Sequence, residues 1–185
     1  MKMLKVPAPL HELFGKRIAV SELCLTLLFA MGMSSLLLTA SYSGWQHFHI
    51  WQSLLLAALT IDITGGVIAN FSSSTNRYYK ENAKARLVFI LIHIQPIVLG
   101  WLFTPYMRIC FSAWGYTVIS ALFINALTRH PRQRITGAFF AMSGICLLLL
   151  FSNLLPNILT ILLSLYIFKV IFAFAVDHDG RNSLS

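Results

Sequence analysis

Apolar residues run along this chain in long unbroken stretches, separated by short polar segments. They neither alternate nor recur on a single helical face. A helix needs about 20 apolar residues to cross ~30 Å of hydrocarbon. Six stretches qualify: 18–40, 51–71, 87–103, 107–127, 135–151 and 154–176. The third and fifth are near the short limit, and Pro96 predicts a kink in the third. Only Ser152, Asn153 and Pro156 separate the last two, which reads as a tight turn, with a re-entrant element as the alternative. The expected fold is an all-α integral membrane helical bundle of about six transmembrane helices. Residues 1–17, with Pro7, Pro9, Leu10, Leu13 and Phe14, form a short interfacial segment ahead of it. The bundle covers 18–176, and 177–185 is a polar tail.

Composition agrees. Of 185 residues, 57% are hydrophobic and 11% charged, where soluble domains average about 25% charged. The first stretch lacks a small-residue cleavage site behind it and is expected to stay as an anchor. The formal charge of +8 falls between the apolar stretches: Lys16 and Arg17; Arg77, Lys80, Lys84 and Arg86; Arg129, Arg132 and Arg134. Such placement is a topology signal and an attraction for lipid headgroups, and it argues against nucleic acid. It predicts N-in/C-in, with Trp45, Trp51, Trp101 and Tyr106 as an outer aromatic belt and Tyr78 and Tyr79 at the inner surface. Cys24, Cys110 and Cys146 are odd in number and widely spaced, so they read as small buried hydrophobes.

Against this background the polar residues within the spans stand out. Asp62 sits in mid-span, where a carboxylate costs about 2.5–3.5 kcal/mol and usually faces a bundle interior or wet cavity. At 1.5 Å per residue it lies about 13 Å from the inner end of span two. His93 and Lys169 lie about 10 Å from the inner ends of spans three and six, with Gln95 a step deeper than His93. Asn70 and Asn125 lie near inner ends, and Glu22 is about one turn into span one, within reach of Lys16 or Arg17. The polar side chains therefore gather in the cytoplasmic half. Asp62, Gly66 and Ala69 share a stripe of span two, with Gly65 and Asn70 beside it.

Each residue has a functional and a plain reading. Asp62 is an acid/base group, or it ties helices together through the Gly65/Gly66 face. His93 is its proton partner, or it bonds a backbone carbonyl near Pro96. Lys169 is a counter-ion to Asp62 or Glu22, or it snorkels to the inner surface; snorkelling is the favoured reading. Asn76, Arg77 and Lys80 follow span two and could grip a phosphate headgroup, or form an ordinary positive-inside loop. His47 and His49 are too few to make a metal site, and no cofactor motif appears: no GxSxG, P-loop, HExxH or GxGxxG.

The pattern Asp62-x-x-Gly65-Gly66-x-x-x-Asn70, then Thr75-Asn76-Arg77-Tyr78-Tyr79 and His93-x-Gln95-Pro96, resembles a group of small uncharacterised bacterial polytopic (six-span) membrane proteins. The likeness covers about a quarter of the chain and implies a multi-pass protein of the bacterial inner membrane, with no activity attached. A looser analogy is to compact membrane isomerases and terpene cyclases. Three functions follow as expectations. The first is an enzyme acting on a lipid or isoprenoid by acid/base chemistry, with Asp62 and His93 catalytic and Asn70, Gln95, Asn76, Arg77, Lys80 and Lys169 binding substrate. The second is a proton-coupled small-solute transporter or channel, and the third is a non-catalytic assembly protein. Partners are membrane lipids and a lipophilic substrate, with a homo-oligomer left open.

Overall fold

A computed structural model describes residues 2–7, 11–128 and 130–178. Pro9, Leu10, Arg129 and the tail beyond residue 178 lie outside them. Among the described residues six helices are long and apolar enough to cross a membrane, as the apolar stretches predict. Spans one and two are α2 (Val20–Ala40) and α3 (Ile50–Ala69), reached through β1 (Met3–Lys5), α1 (His11–Phe14) and β2 (Arg17–Ala19). A short helix, α4 (Ser73–Glu81), leads to span three, which is divided into α5 (Ala83–Ile92) and α6 (Gln95–Leu102). Spans four and five are α7 (Met107–Ala126) and α8 (Gln133–Leu150). Span six is α9 (Asn157–Ile167), continued as a π-helix over Phe168–Phe174. Helices suit a medium without water because each satisfies its own backbone hydrogen bonds.

Among the described residues the chain is a helical bundle with one short two-stranded sheet. β1 pairs antiparallel with β2, Met3 opposite Ala19 and Lys5 opposite Arg17. The expected interfacial segment thus carries a small hairpin that feeds directly into span one. Gly15 lets it fold back: its φ is +67°, and a Cβ there would lie 2.4 Å from the Ser74 carbonyl oxygen. The Ser74 hydroxyl donates to the Phe14 carbonyl at 2.6 Å, fixing the hairpin to α4. Helix α4 is itself started by Ser72, whose Oγ accepts from the Thr75 N–H.

Both ends of the bundle are closed by side chains. At the end away from the hairpin, Trp51 stacks near Trp101 at 5.2 Å and Phe48 near Phe103 at 5.1 Å. The Trp45 indole donates to the Leu38 carbonyl there, and the His49 N–H donates to Gln52 Oε1 at the start of α3. At the basic end the last carbonyls of span six find cationic or amide donors, as helix C-termini favour. Arg86 and Gln133 both donate to the Ala175 carbonyl, and Arg134 donates to those of Asp177 and His178.

Span six is the central strut. Its membrane window is 67% buried, against 22% for span one. Its own Ile158, Leu159, Leu162 and Leu163, with Leu56 of span two and Leu99 of span three, are fully buried and fill the half of the bundle remote from the basic end. Span one packs on span two through small residues: a Cβ on Gly65 would meet Ala30 Cβ at 3.1 Å, and Ser34 and Thr64 share a hydrogen bond of 3.0 Å. Cys110 is buried, but Cys24 and Cys146 are exposed on the outer faces of their spans, against the expectation for all three. An apolar thiol is at ease facing lipid as well as facing protein.

Candidate functional site

The site begins with a repeat of four on span two. Asp62, Gly66 and Asn70 are each four residues apart and share one stripe of the helix. Lys169 of span six lies along that stripe. Its ammonium donates to Asp62 Oδ2 at 3.0 Å and to the Asp62 carbonyl at 3.2 Å. Its aliphatic stem crosses Gly66, where a Cβ would stand 2.2 Å from Cε and 2.7 Å from Nζ. Its own carbonyl accepts from Asn70 Nδ2 at 3.4 Å. Glycine at position 66 is therefore the space the lysine occupies. The π-helical stretch carries Lys169, and such widened turns often mark functional positions.

Lys169 does not snorkel. Its side chain is 2% exposed, and it points at Asp62 rather than at the membrane surface. A long stem snorkels when it can leave the protein. Here it starts from the most enclosed span and finds a carboxylate within reach. The pairing that the sequence left second is the one that forms.

Gln95 completes the group. It opens α6, and its Nε2 donates to Asp62 Oδ2 at 2.6 Å. Both strong donors therefore converge on one carboxylate oxygen. Among the described residues, Oδ1 has no hydrogen-bond partner, and the Asp62 side chain is 42% exposed. Gln95 Oε1 is buried and also without a partner. Beside Asp62, Ala58 and Ile61 on span two are exposed, as are Leu91 and Ile94 on span three, one turn and one residue before Gln95. The carboxylate thus sits at an apolar-flanked edge of the bundle, backed by a buried cation.

His93 takes another place. Span three breaks at His93 and Ile94, just before Gln95 and Pro96. The His93 ring bonds through Nδ1 to the Phe89 carbonyl and lies against the Phe89 ring. Its own carbonyl accepts from the Tyr166 hydroxyl at 2.8 Å. The Ile92 carbonyl accepts from the Ile94 N–H at 2.8 Å. The carbonyls of Phe89, Ile92 and His93 at the break are thereby satisfied, as burial demands. Among the described residues no hydrogen bond joins His93 to Asp62, so the expected direct pair is not formed; the backbone role is.

The three residues of α4 expected to grip a headgroup do not act together. Asn76 is buried. Lys80 is ion-paired with Asp177 at 3.0 Å. Arg77 is exposed and faces the N-terminal hairpin across a cavity. Tyr166 was not singled out by its sequence context, a tyrosine inside an apolar run. Nor were Arg86 and Gln133, which lie at the edges of spans among ordinary loop residues.

Searches against protein-family models, curated proteins and solved structures give no match to the chain.

Proposed function

We propose that this chain is a membrane-embedded enzyme of the bacterial inner membrane that acts on a lipid or isoprenoid, with its basic end toward the cytoplasm. Asp62 is the reacting carboxylate. Held as an ion pair, it starts the cycle as a proton acceptor; Lys169 balances its charge and Gln95 fixes its orientation. His93 keeps span three broken where Gln95 must reach span two, which makes it a positioning residue.

One observation carries this reading: among the described residues Asp62 keeps an oxygen without a protein partner while remaining 42% exposed at an apolar-flanked edge. A carboxylate needed only to bind two helices would be expected to direct both oxygens inward, because an unsatisfied charged atom facing lipid is costly. Here the cation is enclosed and the anion is presented, which suits a substrate arriving from the bilayer. A relay through the membrane finds less support, since the half remote from the basic end is filled by fully buried leucine and isoleucine side chains. The assembly reading loses its surface: Gly65 is taken by Ala30 and Gly66 by Lys169 within the same chain.

The test uses the full chain in nanodiscs of a bacterial polar lipid extract supplemented with a long prenyl alcohol and its diphosphate. Lipid species are followed by mass spectrometry over time. The wild type is expected to convert at least one species, and Asp62→Asn to convert none while remaining folded. Equal conversion by both proteins, or by neither, would overturn the enzyme reading.

A further inference from the structure

A second site lies at the basic end, apart from Asp62. The docked hairpin and α4 enclose a cavity of about 530 Å³. Its charged lining is Lys16, Arg17 and Glu22 from the hairpin and the first turn of span one, and Arg77 and Glu81 from α4, with Tyr78 beside them. Span one begins at Val20, so the cavity lies where a membrane helix leaves the hydrocarbon, at headgroup depth. It is a product of tertiary docking. Gly15 gives the close approach to Ser74, Ser74 holds the Phe14 carbonyl, and His11 lies edge-on to Tyr78 at 6.5 Å.

The charges in this cavity are mostly unspent. Lys16 and Glu81 approach only to 4.0 Å, with side chains 68% and 57% exposed, a weak surface pair. Among the described residues Arg17, Arg77 and Glu22 have no ion-pair partner. Two guanidinium groups are the natural grip for a phosphate, which they bind through paired N–H donors. Two carboxylates in the same cavity would repel a purely anionic headgroup and attract a primary ammonium. One ligand chemistry satisfies both halves, a phosphate ester carrying a primary amine.

We propose that this cavity binds a phosphoethanolamine group, with Arg17 and Arg77 on the phosphate and Glu22 and Glu81 on the ammonium. The group comes from a membrane aminophospholipid or from a soluble phosphoethanolamine ester. The site stands independently of any reaction at Asp62.

The full chain in detergent is titrated in native mass spectrometry with phosphatidylethanolamine, phosphatidylcholine and phosphatidylglycerol of identical acyl chains. A parallel titration uses soluble glycerophosphoethanolamine as competitor. Phosphatidylethanolamine is expected to bind about tenfold tighter than the other two, roughly the value of one charge-assisted hydrogen bond at a wet site. Glu22→Gln should remove the preference over the choline lipid, whose methylated ammonium offers no N–H. Arg77→Gln should weaken all three phospholipids. Competition by the soluble ester identifies the headgroup alone as sufficient; binding of the lipid without such competition identifies the membrane source. Equal binding of the three lipids, tighter binding of phosphatidylglycerol, or a preference that survives both Glu22→Gln and Arg77→Gln would overturn the proposal.

Discussion

Removing the Asp62 and Lys169 charges singly and together separates a true buried pair from two unrelated residues, and the structure sets the order of the effects. Asp62→Leu leaves an ammonium that is 2% exposed with no anion to meet it, only the Asp62-position carbonyl at 3.2 Å. Stranding one member of a buried pair costs about 3–5 kcal/mol. Lys169→Met strands a carboxylate that is 42% exposed and still accepts from Gln95 at 2.6 Å. Its loss should be smaller, about 1–3 kcal/mol, because part of the desolvation was never imposed and a charge-assisted hydrogen bond remains. The double variant removes both charges and leaves two apolar groups against Gly66. Replacing a whole buried pair by apolar side chains is often close to neutral. It should therefore be more stable than Asp62→Leu alone, a non-additivity of about 2 kcal/mol or more. Thermal and denaturant unfolding in one detergent, followed by circular dichroism, measures all four corners of the cycle. Losses that simply add would show that the two side chains do not interact. A larger loss for Lys169→Met than for Asp62→Leu would refute the claim that the cation is the enclosed partner.

Two further substitutions test the supporting geometry. Gly66→Ala places a methyl 2.2 Å from Lys169 Cε and should cost about 1–3 kcal/mol; in a Lys169→Ala background the same change should become neutral or stabilising by up to about 1 kcal/mol, since alanine favours helix over glycine, and an unchanged loss there would place the clash elsewhere. Tyr166→Phe removes the hydroxyl that bonds the His93 carbonyl at 2.8 Å and should cost about 1–2 kcal/mol, with faster hydrogen exchange at Gln95 and Ile97 as the local readout; exchange equal to wild type would remove Tyr166 from the support of the break.

The spans were legible because the membrane imposes one rule on every segment inside it, and an uninterrupted apolar run is the direct trace of that rule. Asp62 was legible for the converse reason, as a charge where none is cheap. The stripe carrying Asp62, Gly66 and Ala69, with Asn70 on its shoulder, followed from helical periodicity alone. Its occupant did not. Depth along a span can be counted from sequence, and by depth alone Lys169 could have reached the surface. What forbids it is that span six is the central helix, and which helix is central is settled by packing among all six. The N-terminal hairpin escaped notice because Met3–Lys5 and Arg17–Ala19 are too short to show alternation, and their pairing depends on a turn closed by Gly15 against Ser74. The break in span three was legible through Pro96, but its centre falls at His93 and Ile94, where side chains can replace the lost backbone bonds.

The four-residue repeat on span two also explains why the polar cluster has a direction. Head, stem and backbone of Lys169 meet Asp62, Gly66 and Asn70 in that order, so the lysine lies along span two and points away from the basic end. An ammonium delivered this way arrives at Asp62 from the enclosed side. Gln95 arrives from span three because the helix restarts there, one residue after the break. With both donors on Oδ2, the second carboxylate oxygen is left without a hydrogen-bond partner among the described residues, on a side chain that is 42% exposed. One carboxylate oxygen is thus left free because the cation and the amide are both spent on the other.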